Sequence, residues 1–212
     1  MLEFIYIVVF LFSVIIHEIA HAYVAHLRGD DTAKAAGRIT LNPVPHIDIF
    51  GSIILPAVLV LTKAPIIFGW AKPVPVNYAR LKNPKIDIPL VSAAGPLSNI
   101  ALAVIAGIGI RAVRMFPEFY QGTGASIELV LSVVVLLNII LPIINLIPIP
   151  PLDGSKVITY FMPPHIAYKY LNINPFFSFL VLVILLLSGV IWAIAGPVIE
   201  FFVKVIIGGP AV

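Results

Sequence analysis

The run Phe4–Ala25, FIYIVVFLFSVIIHEIAHAYVA, decides the fold class. Its residues are apolar apart from a short polar cluster at His17, Glu18 and His21. A helix rises about 1.5 Å per residue, and a bilayer core is about 30 Å thick, so roughly 20 apolar residues make one crossing. Phe4–Ala25 has that length. Its start, Met1-Leu2-Glu3, lacks a basic leader region, and the run continues through the histidines without a cleavage context, so it reads as a retained helix rather than a signal peptide.

Three further runs, Ile88–Ile110, Leu129–Leu152 and Phe176–Ile199, contain no Asp, Glu, Lys or Arg. A shorter one, Ile49–Thr62, carries Gly51 and Pro56 and reads as a re-entrant or tilted segment. The expected architecture is an all-α, polytopic membrane bundle of about four spanning helices plus that short segment. Composition agrees. Of 212 residues, 60% are hydrophobic and 11% charged, against about 25% charged in a soluble domain. Soluble enzymes, disordered chains and nucleic-acid binders are excluded on that count. The absence of cysteine removes disulfides, thiol nucleophiles and thiolate metal sites.

His17-Glu18-Ile19-Ala20-His21 is H-E-x-x-H. The i, i+4 spacing puts both imidazoles on one helical face, where they can grip one zinc ion, and Glu18 beside them can accept a proton from attacking water. Each ionisable group inside a spanning helix costs roughly 2.5–3.5 kcal/mol on insertion scales, so three in one short stretch call for a partner such as a metal. Two histidines need a third protein ligand. Asp153 closes an apolar run among clustered prolines, in Asn145-Leu-Ile-Pro-Ile-Pro-Pro-Leu-Asp153-Gly154. On the residues alone it serves equally as that ligand or as the N-cap of Gly154–Phe161.

Three separated motifs, H-E-I-A-H at 17–21, G-P-L-S-N at 95–99 and N-L-I-P-I-P-P-L-D-G at 145–154, together resemble the site-2 protease family of intramembrane zinc metalloproteases. The likeness runs from about Ile16 to Gly154 and favours the small branch without a PDZ domain. It implies one zinc ion per chain held by His17, His21 and Asp153, with Glu18 as general base. It implies that Asn145 contacts the substrate or the oxyanion and that Asn99 lies near the site. His46, in Asn42-Pro43-Val44-Pro45-His46, also falls in a family-like stretch and is a possible accessory residue. His26 and His165 read as surface residues. A single membrane domain over 1–212 is expected, with a catalytic core at about 4–154 and an additional C-terminal helix at 176–204.

Basic residues orient the bundle. With the N-terminus outside, the connections Arg28–Lys85 and Leu152–Pro175 hold 10 Lys/Arg on the cytoplasmic side, against 3 outside. The H-E-x-x-H pair then lies below the cytoplasmic surface of a cell (inner) membrane, with the site opening to the cytoplasm. Within the large loop, Gly37–Asn42 and Trp70–Asn77 suggest a small cytoplasmic β element. Pro73 and Pro75 would spoil one edge of the second strand and leave the Val74 and Val76 donors on the other. That edge is expected either to receive an unwound substrate by strand addition or to pair internally with Gly37–Asn42. The expected partners are single-span membrane proteins or remnant signal peptides, and the lipid bilayer; a zinc transporter and an inactive protease-like scaffold are the competing classes.

Overall fold

The structure is a computed structural model that describes residues 2–62 and 71–208. Eight helices carry the argument, named in chain order: α1 Leu2–Leu27, α2 Leu55–Leu61, α3 Pro84–Arg114, α4 Ala125–Asn145, α5 Asp153–Val157, α6 Pro164–Leu171, α7 Pro175–Leu187 and α8 Val190–Ile207. Among the described residues, four helices are long and apolar enough to cross a membrane: α1, α3, the helical run Pro117–Asn145 that ends in α4, and α8.

Two of the expected spans shift. The run Phe176–Ile199 is broken at Ser188–Gly189, where Gly189 takes φ 77°. Glycine enters that left-handed region at no steric cost and so ends a helix cleanly. The crossing-length helix is therefore α8. The run Leu129–Leu152 stops being helical at Asn145, because Pro148, Pro150 and Pro151 cannot donate to a helical ladder. Ile49–Thr62 becomes a wide turn at Ile49–Ile54 followed by α2, too short to cross alone.

Helix α3 is the centre of the bundle and packs on both α1 and α4, with α8 against α3 and α4. The largest apolar core joins Ala103, Ala106 and Ile110 of α3 to Val135 and Ile139 of α4 and to Ile191, Ala195, Ile199, Val203 and Ile207 of α8. Small side chains permit the close helix approach that drives association in lipid. At Gly107 an added Cβ would collide with the Ile206 side chain.

The expected β element is absent among the described residues. Residues 71–77 are extended but make no ladder, and Trp70 lies outside the described residues, as does Lys63 of the charge count. The segment is held by single contacts. Val74 N–H donates to Glu18 Oε2 at 2.7 Å and Asn77 N–H to Asp30 Oδ2 at 2.6 Å. Lys72 N–H donates to His46 O at 2.9 Å, and Arg38 donates to Lys72 O at 2.6 Å. Pro73 and Pro75 lack donors, and the Val74 donor is taken by a carboxylate, so no regular pairing remains. Gly37–Asn42 likewise forms a turn rather than a partner strand, with Gly37 at φ 66°.

Asp30 anchors this arrangement. Its buried carboxylate accepts from Asn77 N–H and from the N–H and hydroxyl of Thr32. Burial works to raise the pKa of this carboxyl, but those hydrogen bonds outweigh it and hold the pKa below the usual range. The extended segment is thereby fixed to the end of α1, next to the H-E-x-x-H turn.

Candidate metal centre

The one helix carrying His17 and His21 turns both imidazoles inward, one turn apart, with ring centroids 4.6 Å apart and planes crossing at 84°. The connection after α4 folds back and delivers Asp153 to them. Gly154 permits that turn: an added Cβ there would overlap Leu146 O and stand 2.7 Å from Ile147 O. Asp153 Oδ2 lies 3.1 Å from His17 Nε2 and 3.2 Å from His21 Nε2, and the two Nε2 atoms are 3.0 Å apart. All three side chains are buried. Leu152, not Asp153, occupies the N-cap position of α5, and no side chain caps that end. The capping alternative for Asp153 is therefore not the one adopted.

The far side of each ring is anchored. His21 Nδ1 is 2.7 Å from Val91 O, and His17 Nδ1 is 2.6 Å from Asn99 Oδ1. Val91 O can only accept. The Asn99 amide nitrogen is spent on Ser13 O at 3.2 Å and Asn138 Oδ1 at 2.7 Å, so Oδ1 is the atom that meets His17. Both Nδ1 atoms must then carry the proton, an assignment made from the hydrogen-bond network. In the neutral rings both Nε2 atoms present bare lone pairs to one another and to a carboxylate oxygen. Such a convergence is repulsive without a cation at its centre. The three donor atoms lie within 4.8 Å of one another, and two imidazoles with one carboxylate suit a catalytic zinc site. The donor set fits a divalent metal.

The Lys156 ammonium, 3.7 Å from Asp153 Oδ1, favours the carboxylate form of that side chain. Gly95 of α3 faces the pair, and a Cβ there would run into Nε2 of both histidines, which leaves that volume clear only for glycine.

A cavity of ≈ 450 Å³ opens onto this cluster. Glu18 and Asn145 border it, as do Val74, Val76 and Lys156. The Asn145 amide donates to Leu141 O at 3.0 Å. Asn99 is not on the cavity: it is fully buried behind His17, with its amide consumed there. His46 is also buried away from the cavity, with Nε2 donating to Thr40 O at 3.0 Å. His26 is half-buried and bonds Asp31, and His165 is exposed.

Two relatives, both described as "Putative zinc metalloprotease", match most of the chain. YwhC of Bacillus subtilis (strain 168) is 41% identical over 184 residues, which is 85% of this chain and 80% of the relative. The chain belongs to the site-2 protease family. Rip2 of Mycolicibacterium smegmatis is 29% identical over 182 residues, 84% of this chain and 64% of that relative. No protein-family model and no solved structure matches the chain.

In this site-2 protease family member, sequence reasoning missed Asn138, Ser13 and Lys156. Two of them carried a signal. Ser13 is four residues before His17 and so shares its face. Asn138 is a lone amide within an apolar spanning run, where a polar group asks for a partner in another helix. The carbonyl of Val91 carried none, because backbone acceptors are present at every position.

Proposed function

We propose that the protein is an intramembrane zinc endopeptidase that hydrolyses peptide bonds in or near transmembrane helices of membrane-anchored proteins. The observation that carries this reading is the convergence of two imidazoles, a carboxylate and the Glu18 carboxylate on one cavity inside a bundle of spanning helices. His17, His21 and Asp153 would hold the ion. Bound zinc supplies Lewis acidity, which polarises a scissile carbonyl and makes water a better nucleophile at neutral pH. Glu18 takes the proton from the attacking water and returns it to the leaving amine. Asn145, on the rim of the same cavity, is assigned to the substrate or the developing oxyanion.

Membership of the family and the four apolar helices support an integral membrane protein. The charge asymmetry of the loops supports a multi-pass inner-membrane topology with the N-terminus outside and the site opening to the cytoplasm. The helical positions fit this reading. His17 lies ten residues before the end of α1, roughly 15 Å of helix below it. Single-span membrane proteins and remnant signal peptides are the substrates this depth suits. The direct test is cleavage of a purified, tagged single-span substrate by the purified protein. A zinc chelator should abolish cleavage and added zinc restore it; chelator-resistant cleavage would refute the reading.

A helical substrate must exchange its internal hydrogen bonds for others before attack. Residues 71–77 are extended along the cavity, which supports a role in receiving it. Of the two donors on the expected edge, Val74 N–H is engaged by Glu18, and Val76 N–H has no protein partner among the described residues. Val76 is then the backbone donor assigned to substrate. Val76→Pro should slow cleavage roughly two- to tenfold, the worth of one backbone hydrogen bond, with zinc content unchanged. Cleavage at the wild-type rate would remove the assignment.

A further inference from the structure

We infer that Asn138 of α4 is a positioning residue for the metal centre, setting the ring orientation and tautomer of His17 through Asn99. The inference deepens the zinc-site reading above and rests on it.

Val134 O is a backbone carbonyl and can only accept. Asn138 Nδ2 lies 2.9 Å from it and 2.8 Å from Ser13 Oγ. The other end of that amide must be Oδ1, an acceptor. It faces Asn99 Nδ2 at 2.7 Å, which therefore donates. Asn99 Oδ1 is then turned to His17 Nδ1 at 2.6 Å, which must bear a hydrogen, and His17 Nε2 is left bare towards Asp153. Each link leaves the next one orientation.

Both amides are fully buried, so no water stands in for a lost partner. A flip of Asn99 would set its oxygen against Asn138 Oδ1 and against Ser13 O, and its nitrogen against His17. Ser13 O provides one lock on Asn99, and Asn138 provides the second. Three helices are involved: α1 contributes His17 and Ser13, α3 Asn99, and α4 Asn138. The outer partners of metal-bound histidines orient the ring, and losing one typically costs about 10–100-fold in metal affinity. Asn138 is one step further out and shares its task with Ser13 O, so about tenfold is expected.

The test compares the wild type with Asn138→Leu and Asn138→Asp in detergent, with zinc affinity measured by chelator competition. Leucine matches the volume and removes the polarity. Aspartate, in either protonation state, keeps an acceptor towards Asn99. Asn138→Leu should bind zinc about tenfold more weakly, and Asn138→Asp within about threefold of wild type. Equal affinity in Asn138→Leu, or an equal loss in Asn138→Asp, would overturn the inference while leaving the zinc site itself intact. A wild type without zinc would instead overturn the functional reading. A second measurement needs no variant. Nitrogen-15 NMR of metal-free, histidine-labelled protein at pH 8 should place the neutral His17 proton on Nδ1. A proton on Nε2 would also overturn the inference, whatever the variants do.

Discussion

Glu18→Gln is expected to lower cleavage of a single-span substrate by about 10²–10⁴-fold, the range general-base catalysis typically contributes, with zinc binding unchanged. The geometry makes this substitution clean. Glu18 is outside the three-residue donor set, so the ion keeps its ligands. Its one described hydrogen bond accepts from Val74 N–H at 2.7 Å, and the glutamine oxygen can accept the same bond. Residues 71–77 therefore stay where they are. What disappears is a negative charge and a proton acceptor beside the cavity. Rates and zinc content, measured on the same preparations, decide the matter. Cleavage near the wild-type rate would show that Glu18 is not the base. The substitution also separates the competing classes, since a zinc transporter should be little affected by it and an inactive scaffold has no hydrolysis to lose.

Asp153→Asn should instead act on the metal. The side chain keeps its shape but loses the charge that offsets the cation. Second-layer losses already cost about 10–100-fold in metal affinity, so removal of a direct anionic ligand should cost at least about 100-fold. Cleavage should fall with zinc occupancy and recover in part when zinc is added in excess, whereas no amount of zinc should rescue Glu18→Gln. The two variants thus fail in different ways, one with the metal bound and one without. Stoichiometric zinc in Asp153→Asn would mean that the third ligand lies elsewhere and that the 3.1 Å and 3.2 Å approaches to the histidines serve another purpose.

Much of the site was legible along the chain because its chemistry is local. His17, Glu18 and His21 sit within one helical turn and a half, so helix periodicity alone places the two rings together. Asp153 was ambiguous, since a carboxylate after a proline cluster suits a cap as well as a ligand. In the folded connection Gly154 lies close against Leu146 and the carboxylate faces the imidazoles, a placement that can serve a metal and does not cap the helix. Asn99 and Asn138 show the opposite limit. Each is one amide in a long apolar run, and only the packing of α1, α3 and α4 reveals that they bond one another and His17.

The β element failed for a related reason. Alternating residues can describe a strand, but a strand exists only where another backbone offers a continuous edge. In this loop the available partners are a glutamate side chain, an aspartate side chain and isolated carbonyls. By itself the sequence determined the membrane class, the helical character and the identity of the paired imidazoles. These depend on run length, on composition and on a spacing shorter than one helix. The tertiary structure alone decided that the helix of crossing length begins after Gly189, which way Asp153 turns and which amides stand behind His17. These depend on contacts between residues that chain separation keeps apart until the helices pack.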